Sequence, residues 1–524
     1  MTWINALPLD ELAARGKTIL RHDGRQILLL HTERGVFACA NRCPHEGYPL
    51  SEGSLADGCV LTCNWHNWKF DLVSDVTIVG GDKLPRYPVR LESGRVWVDV
   101  TPPDPALRRQ TALAGIVKAL EDVDQQRLVR EAARLVRVGA DPADAIAMAV
   151  AWVSERLEFG TTHAIAGAPD WLRLSEQAGV SDTQKVAALG EILGHIADDA
   201  RSCRCFPLPQ GEAPWSETAF LDAIESEDEA TAMALLRGAL AAGRTVAELR
   251  PTLVAAALSH YADFGHSLIY AVKTADLAER LGRAAVEPLL LMLARSLVYA
   301  TREDLLPEFR DYQSRLAAWG EADDRCPPLD ADALRRTTPK SAMAIVAAWG
   351  SRHPPEAIFA VLVESAASIL LHVDERLLVS VEAKLADNIN WLDFTHMLTF
   401  ADAASTAVRL RPALWPAVLL QLACFIGRNA GYVDAGLDTG EYAVADVACF
   451  TAERHSALFD HGRERFIISV HLIKTLLAGE ALMKALPEQT PLLAASLNRF
   501  LTAPMKGRHV LRTARQMWEL VEEE

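Results

Sequence analysis

Two short stretches of this chain carry residue types that bind metal. Cys43-Pro44-His45 lies in NRCPHEGYPL and Cys63-Asn64-Trp65-His66 in LTCNWHNWKF, with residues 46–62 between them. Each stretch supplies one thiolate and one imidazole. That pairing suits two chemically different irons: thiolates take one, and neutral imidazoles take the other, removing negative charge and raising the potential. Zinc sites draw on the same residue types, but usually as C-x₂₋₄-C and H-x₃₋₅-H pairs. Cys39, in an apolar strand, and Cys59, beside a turn, read as small buried hydrophobes.

The two stretches resemble the loops of a Rieske domain, with C-P-H-x-G-x-P-L in the first and C-x-W-H-x-W-x-F in the second. The resemblance covers about residues 1–100, including LPRYPVR after the second loop. It implies a [2Fe–2S] cluster on Cys43, His45, Cys63 and His66, and a one-electron carrier with a donor on one side and an acceptor on the other. High-potential respiratory members carry a second cysteine in each loop, and those two form a disulfide. Tyr48 and Trp65 stand at those positions. The resemblance is therefore to the ferredoxin and oxygenase type, with a lower potential.

A second set of metal-binding residues lies further along. HYADFGHSLIYAVKT places His260, Asp263 and His266 at successive i+3 steps, which share one face of a helix. Asp393 and His396 repeat that spacing, as do His461 and Glu464, with His471 seven residues beyond. Carboxylate-x-x-His pairs pointing into a helical bundle hold oxygen-activating iron in other proteins. We expect a non-haem iron site with His266, His396 and His471 as its catalytic histidines and Asp263, Asp393 and Glu464 as ligands or orienters. His163, His260 and His461 are further candidate ligands. Cys203-x-Cys205 has no partner ligands nearby. The D-x₂-H-x₄-H pattern of ring-hydroxylating oxygenases is absent after residue 100.

The segments GTTHAIAGAPDWLRL, FGHSLIYAVKT, WLDFTHMLTFADAAST and ISVHLIKTLLAGEAL resemble the questin-oxidase-like family, over about Asp141 to Val510. The resemblance implies a helical oxygenase of polyketide-type ketones, some members acting in a Baeyer–Villiger manner with NADPH. It maps His163, His266, His396 and His471 onto that family's histidines.

The elements that must position these residues change character near residue 100. Before it, short β-type runs such as GRQILLLHTERGVFACA alternate with Gly and Asn turns, the pattern of a small antiparallel β domain. TPPDPALRRQ, residues 101–110, reads as a linker. From residue 111 to 524 Ala and Leu recur with helical period, in QQRLVREAARLVRVG for example, and no strand is evident. Asp141-Pro142 and Thr301 or Ser341 read as helix starts, and Gly160, Gly243 and Gly282 as stops. The expected fold is multidomain, α and β: a small antiparallel β Rieske domain and a large all-α, catalytic domain.

Composition bounds the partners. The 524 residues carry 69 acidic against 53 Lys and Arg, a net charge of −16, which argues against a nucleic-acid binder. Nine cysteines are too few for a disulfide scaffold, and no run of about 18 uncharged apolar residues marks a membrane span. The expectation is a cytoplasmic protein without nucleic-acid or membrane partners. No G-x-G-x-x-G follows a strand, so NAD(P)H would act only through a separate reductase or ferredoxin. Two functions follow. In one, the Rieske domain feeds a helical oxygenase or oxidase domain acting on a small organic substrate. In the other, the chain is an electron-transfer protein whose helical domain docks a redox partner or acts as a sensor.

Overall fold

The structure is a computed structural model and describes residues 1–56, 59–200, 204–321 and 326–522. The chain divides into two compact units, Met1–Leu107 and Arg108–Glu524.

In the first unit β1 (Trp3–Pro8), β10 (Val89–Glu92) and β11 (Arg95–Asp99) form one antiparallel sheet, in the order β1-β11-β10. β2 (Lys17–His22), β3 (Arg25–Thr32), β4 (Gly35–Ala40) and β9 (Arg86–Tyr87) form a second. β5 (Ser54–Ala56), β6 (Val60–Cys63), β7 (Trp68–Asp71) and β8 (Val76–Val79) form a third, in sequence order. Successive side chains of a strand face opposite sides. In β3 that alternation sends Ile27 and Leu29 into a core with Leu12, Ala38, Val96 and Val98. Leu28 and Leu30 enter a second core with Cys39, Leu61 and Phe70. Cys43 and Cys63 are buried in this second core, so packing fixes where the two sulfurs lie.

The second unit is helical. Among its described residues, extended backbone pairs only in the isolated bridges Ala262–Arg302 and Val373–Val433. The expected linker is shorter than residues 101–110. The helix Pro105–Asp122 has already begun by Ala106, because proline's fixed φ suits a first turn where no N–H is needed. Asp141 caps the helix Pro142–Val153 as expected, accepting from the Ala143 N–H. Ser341 is not a cap: Thr338 is, and Ser341 answers it from the third helical position.

Four helices matter for the site: His163–Ser175, His266–Leu281, Trp391–Leu410 and Phe466–Ala485. The first packs on the second and fourth, and the third packs on the same two, closing a ring. Small residues permit the close approaches. A Cβ on Gly167 would lie 2.1 Å from a Val470 methyl on the neighbouring helix. Pro412–Tyr432 and Phe466–Ala485 have the length and hydropathy of a membrane span, but each is interrupted by charge, at Arg428 and at Lys474 and Glu480, and 72% of each is buried inside the unit, as in core helices.

Candidate functional site

The first site lies in the β unit, on the loop after β4 and the β6–β7 turn. Cys43 accepts the Gly47 N–H on its carbonyl at 2.8 Å, and Cys63 accepts the Asn67 N–H at 2.9 Å, so each loop folds back on its own cysteine. Asn67 closes the second loop at φ 58°. The rings of His45 and His66 are perpendicular, with centroids 4.6 Å apart, and His45 stacks on Trp68 at 4.9 Å. Their Nε2 atoms face Glu46, at 3.9 Å from His45 and 3.7 Å from His66. That leaves the Nδ1 atoms for a cluster. Burial pushes the Cys43 thiol up to about 11, the Cys63 thiol adds to the rise, and the His45 and Glu46 N–H groups oppose it by donating to the sulfur. A bound metal would deprotonate such thiols. Two buried thiols, the buried Nδ1 of His45, the His66 imidazole beside it and amide N–H groups aimed at sulfur fit a [2Fe–2S] cluster. Glu46 was not singled out in the sequence, although its place beside His45 could have suggested it.

The second site lies within the helical ring. Each of the four helices brings one histidine to a common point. His163 and His266 begin their helices, and His396 and His471 sit one to two turns into theirs. The Nε2 atoms of His163 and His266 are 3.1 Å apart and those of His396 and His471 3.3 Å. Ligand atoms of His163, His396 and His471 all lie within 4.8 Å of one another. Ring centroids of His266 and His396 are 4.5 Å apart, and those of His163 and His471 4.8 Å, which closes the set.

The outer nitrogens explain the orientation. Nδ1 of His471 donates to the Ile467 carbonyl at 2.6 Å, and Nδ1 of His266 to the Asp263 carbonyl at 2.6 Å. His396 bonds the Leu392 carbonyl. The Tyr270 hydroxyl meets Nδ1 of His163 at 3.0 Å. A nitrogen bonded to a carbonyl carries the ring's proton, so in the neutral ring Nε2 is a bare lone pair. Burial holds all four imidazoles below their ordinary range, His266 at about 4, and the nearby Lys474 charge reinforces it. His396 and His471 thus face lone pair to lone pair. Two nitrogens each about 2.1 Å from one metal ion stand roughly 3 Å apart, so the two rings are spaced to hold a cation were one bound.

The backbone before His266 shows how that ring is aimed. Asp263, Phe264 and Gly265 have φ of 53°, 44° and 80° in succession. A Cβ on Gly265 would lie 2.7 Å from Phe425 and 2.8 Å from Phe400. Strain of this kind persists where its surroundings over-determine it, and it turns the Asp263 carbonyl toward the imidazole. Lys474, one turn beyond His471, is 1% exposed, its Nζ meets no hydrogen-bond partner among the described residues, and burial brings it down to about 7. Tyr270, one turn beyond His266, and Lys474 were both missed in the sequence, where their spacing from a histidine was the available signal.

The expected carboxylates do not join the ring. Residues 260–265 and 461–465 are not α-helical, because the helices begin at His266 and Phe466, so the i+3 stripes of His260–Asp263–His266 and His461–Glu464 do not form. His260 instead lies between Glu225, at 2.5 Å, and Asp304, at 2.7 Å. His461 pairs with Glu191 at 3.3 Å. Asp393 accepts the Asn390 N–H at 2.7 Å, which commits it to the start of its helix. The Asp263 carboxylate stands 3.9 Å from Nδ1 of His266, whose proton goes to the Asp263 backbone instead. Asp263 and Glu464 line a cavity of about 1020 Å³, together with His163, Tyr270, Phe159 and Tyr299. Burial raises Asp263 to about 6. Cys203 lies outside the described residues, and Cys205 is exposed.

The β fold and its Cys/His loops define an iron–sulfur domain of the Rieske class. A family model described as "Rieske [2Fe-2S] domain" matches residues 2–88, and the chain belongs to that family. It is 37% identical over 109 residues to the 4beta-methylsterol monooxygenase of Methylococcus capsulatus, covering 18% of this chain and 29% of that protein. It is 30% identical over 101 residues to the biphenyl dioxygenase ferredoxin subunit of Pseudomonas sp. (strain KKS102), covering 19% of this chain and 93% of the subunit. Among solved structures it is similar to the terminal oxygenase of carbazole 1,9a-dioxygenase from Nocardioides aromaticivorans IC177, at 26% identity and TM-score 0.18, over 20% of this chain and 31% of that one. The chain thus spans less than a third of the monooxygenase it matches.

Proposed function

We propose that this protein is an oxygen-activating oxidoreductase. In this reading Cys43, His45, Cys63 and His66 would hold a one-electron [2Fe–2S] carrier, and His163, His266, His396 and His471 would hold one non-haem iron as its acceptor. The observation that carries it is the meeting of His396 and His471, whose proton-bearing nitrogens are turned away and whose lone pairs converge. The similarity to a methylsterol monooxygenase and to dioxygenase ferredoxins supports the electron-carrying half. The resemblance of the four histidine segments to the questin-oxidase-like family supports the helical half. Fusing donor and acceptor in one chain raises the effective concentration of each near the other.

Iron on imidazole ligands with open positions would supply dioxygen chemistry when bound. The chain's own residues do the rest. Backbone carbonyls fix three ring tautomers, and Tyr270 fixes the fourth ring. Burial keeps the imidazoles unprotonated and limits water. The 1020 Å³ cavity, reaching His163 and Tyr270 past the exposed Phe159 and Tyr299 rings, admits a small organic substrate. Electrons come from a separate reductase or ferredoxin, with NAD(P)H behind it. The eight described cysteines are all free, which suits a cytoplasmic, reducing compartment.

Iron and sulfide quantification with EPR, on anaerobically purified and dithionite-reduced protein, tests this reading. Three irons to two sulfides per chain are expected, one iron remaining outside the Rieske signal. Two irons to two sulfides would favour the electron-transfer reading, in which the helical unit docks a partner or senses.

A further inference from the structure

A second cavity, of about 330 Å³, shares Arg465 and Ile467 with the histidine cavity but is lined by other residues. It opens among the starts of three helices, Trp391–Leu410, Phe466–Ala485 and Val510–Glu522. Its wall carries four basic side chains, Arg465, Lys506, His509 and Arg512, against a single carboxylate, Glu375. Glu375 is already engaged by Arg499 at 3.3 Å.

Among the described residues Arg465, Lys506 and Arg512 pair with no carboxylate, and burial with the neighbouring Arg512 and Lys506 charges holds His509 below its ordinary range. Arg512 is 7% exposed, yet its guanidinium bonds only a neutral acceptor, the Leu378 carbonyl at 3.1 Å, and no carboxylate pairs with it among the described residues. Arg465 reaches the Gly507 carbonyl at 3.4 Å. Nδ1 of His509 is buried without a hydrogen-bond partner among the described residues. Burying a guanidinium without an anion is costly, so an anion entering this cavity would offset that cost. The helix beginning at Phe466 has no side-chain cap, so its first N–H groups add to the positive field. The rest of the wall is apolar, with Leu378, Trp391, Ile468 and Met505.

We propose that this cavity binds a small organic oxyanion, a phosphate or carboxylate group carried on an apolar body. It is separate from the four-histidine centre and does not depend on metal there. Cations and amide N–H groups take the oxyanion, and Trp391 and Met505 take the body. Because Arg465 also lines the histidine cavity, an occupant that holds Arg465 fixes part of the wall facing the substrate.

Calorimetric titration of the full chain tests this, with phenyl phosphate and benzoate as probes and benzyl alcohol as the uncharged control. At least one anion is expected to bind roughly tenfold or more tightly than the alcohol, with affinity falling as salt rises. The stronger of the two identifies the headgroup. Lys506→Gln/His509→Gln removes two side chains that hold no hydrogen bond, so folding should be unaffected, and anion affinity should fall roughly tenfold at unchanged iron content. Arg512→Gln should weaken it further if that variant folds, and the double variant decides if it does not. Equal affinity for anion and alcohol, or an anion affinity unchanged in the double variant, overturns the assignment.

Discussion

Tyr48 and Trp65 lie stacked on each other, ring centroids 4.1 Å apart and 16° from parallel. They hold the two loop positions where the respiratory Rieske proteins carry a disulfide. Aromatic stacking thus joins the loops, and no covalent link exists for a reductant to break. The cluster is expected to titrate in the lower part of the Rieske range, about −150 to +300 mV. Its midpoint should be unchanged by dithiothreitol. EPR-monitored potentiometry with and without the thiol checks both points, and a midpoint at the upper end would contradict the subtype.

Cys63→Ser, or Cys43→Ser, should abolish the Rieske EPR signal and leave the helical unit folded. The reason is that the two units have separate cores, with Cys43 and Cys63 in the smaller. Circular dichroism at a helical wavelength should show the main melting transition retained. A Rieske signal surviving in Cys63→Ser would remove the assignment.

His396→Ala and Asp393→Ala separate ligand from cap, although only three residues part them. The first should lower iron from three to two per chain. The second removes a bond at the start of the helix and should cost about 1 kcal/mol of stability with iron unchanged. Metal analysis beside a thermal melt distinguishes the two. Iron loss in Asp393→Ala would restore the carboxylate to the ligand set.

The iron-free protein should lose stability in acid through the four histidines. Burial lowers each in the folded state, so below 6.5 the unfolded chain binds more protons than the folded one. Stability therefore falls as pH falls, by up to about 1.4 kcal/mol per pH unit for each histidine. For His266 that window runs from 6.5 down to about 4. Denaturant melts of His266→Gln should show a shallower slope across the window. An identical slope would mean that the imidazole is not held neutral.

His260 behaves in the opposite sense. Burial opposes its charge, but the Asp304 and Glu225 carboxylates outweigh burial and raise it. Asp304 is lowered in turn, since the His260 and Gln313 bonds overcome its own burial. The raised histidine stabilises fully below 6.5 and fades as pH rises through its folded value. The lowered carboxylate stabilises above 3.8 and fades as pH falls through its own. The pair is thus strongest between those limits. His260→Gln should cost roughly 1–3 kcal/mol there, less at higher pH, and no iron. Equal loss at pH 5.5 and 8.5 would contradict the ionic account.

The Rieske half was legible in sequence because its chemistry is local. Each loop supplies a cysteine and a histidine two or three residues apart, and β6 and β7 run into and out of the second loop, so ligand type and spacing leave little for long-range packing to decide. Tyr48 and Trp65 could be named as replacements for a disulfide, but only their stacking shows what joins the loops instead. The helical half was legible as helix from its apolar period, and His163, His266, His396 and His471 could be named as candidates. Their meeting could not be read. It depends on four helices from residues 163 to 485 closing a ring, and on contacts such as Gly167 against Val470, which no periodicity encodes. The carboxylates were misjudged because i+3 spacing acquires a meaning only once the helix start is known. Asp263 and Glu464 fall just before helices that begin at His266 and Phe466, and Asp393 falls in a first turn whose free N–H groups bind it more directly than a metal could. Sequence determined which side chains could bind iron. Tertiary structure decided which of them face one another, because a lone pair acquires its direction only when the ring's other nitrogen has found a carbonyl.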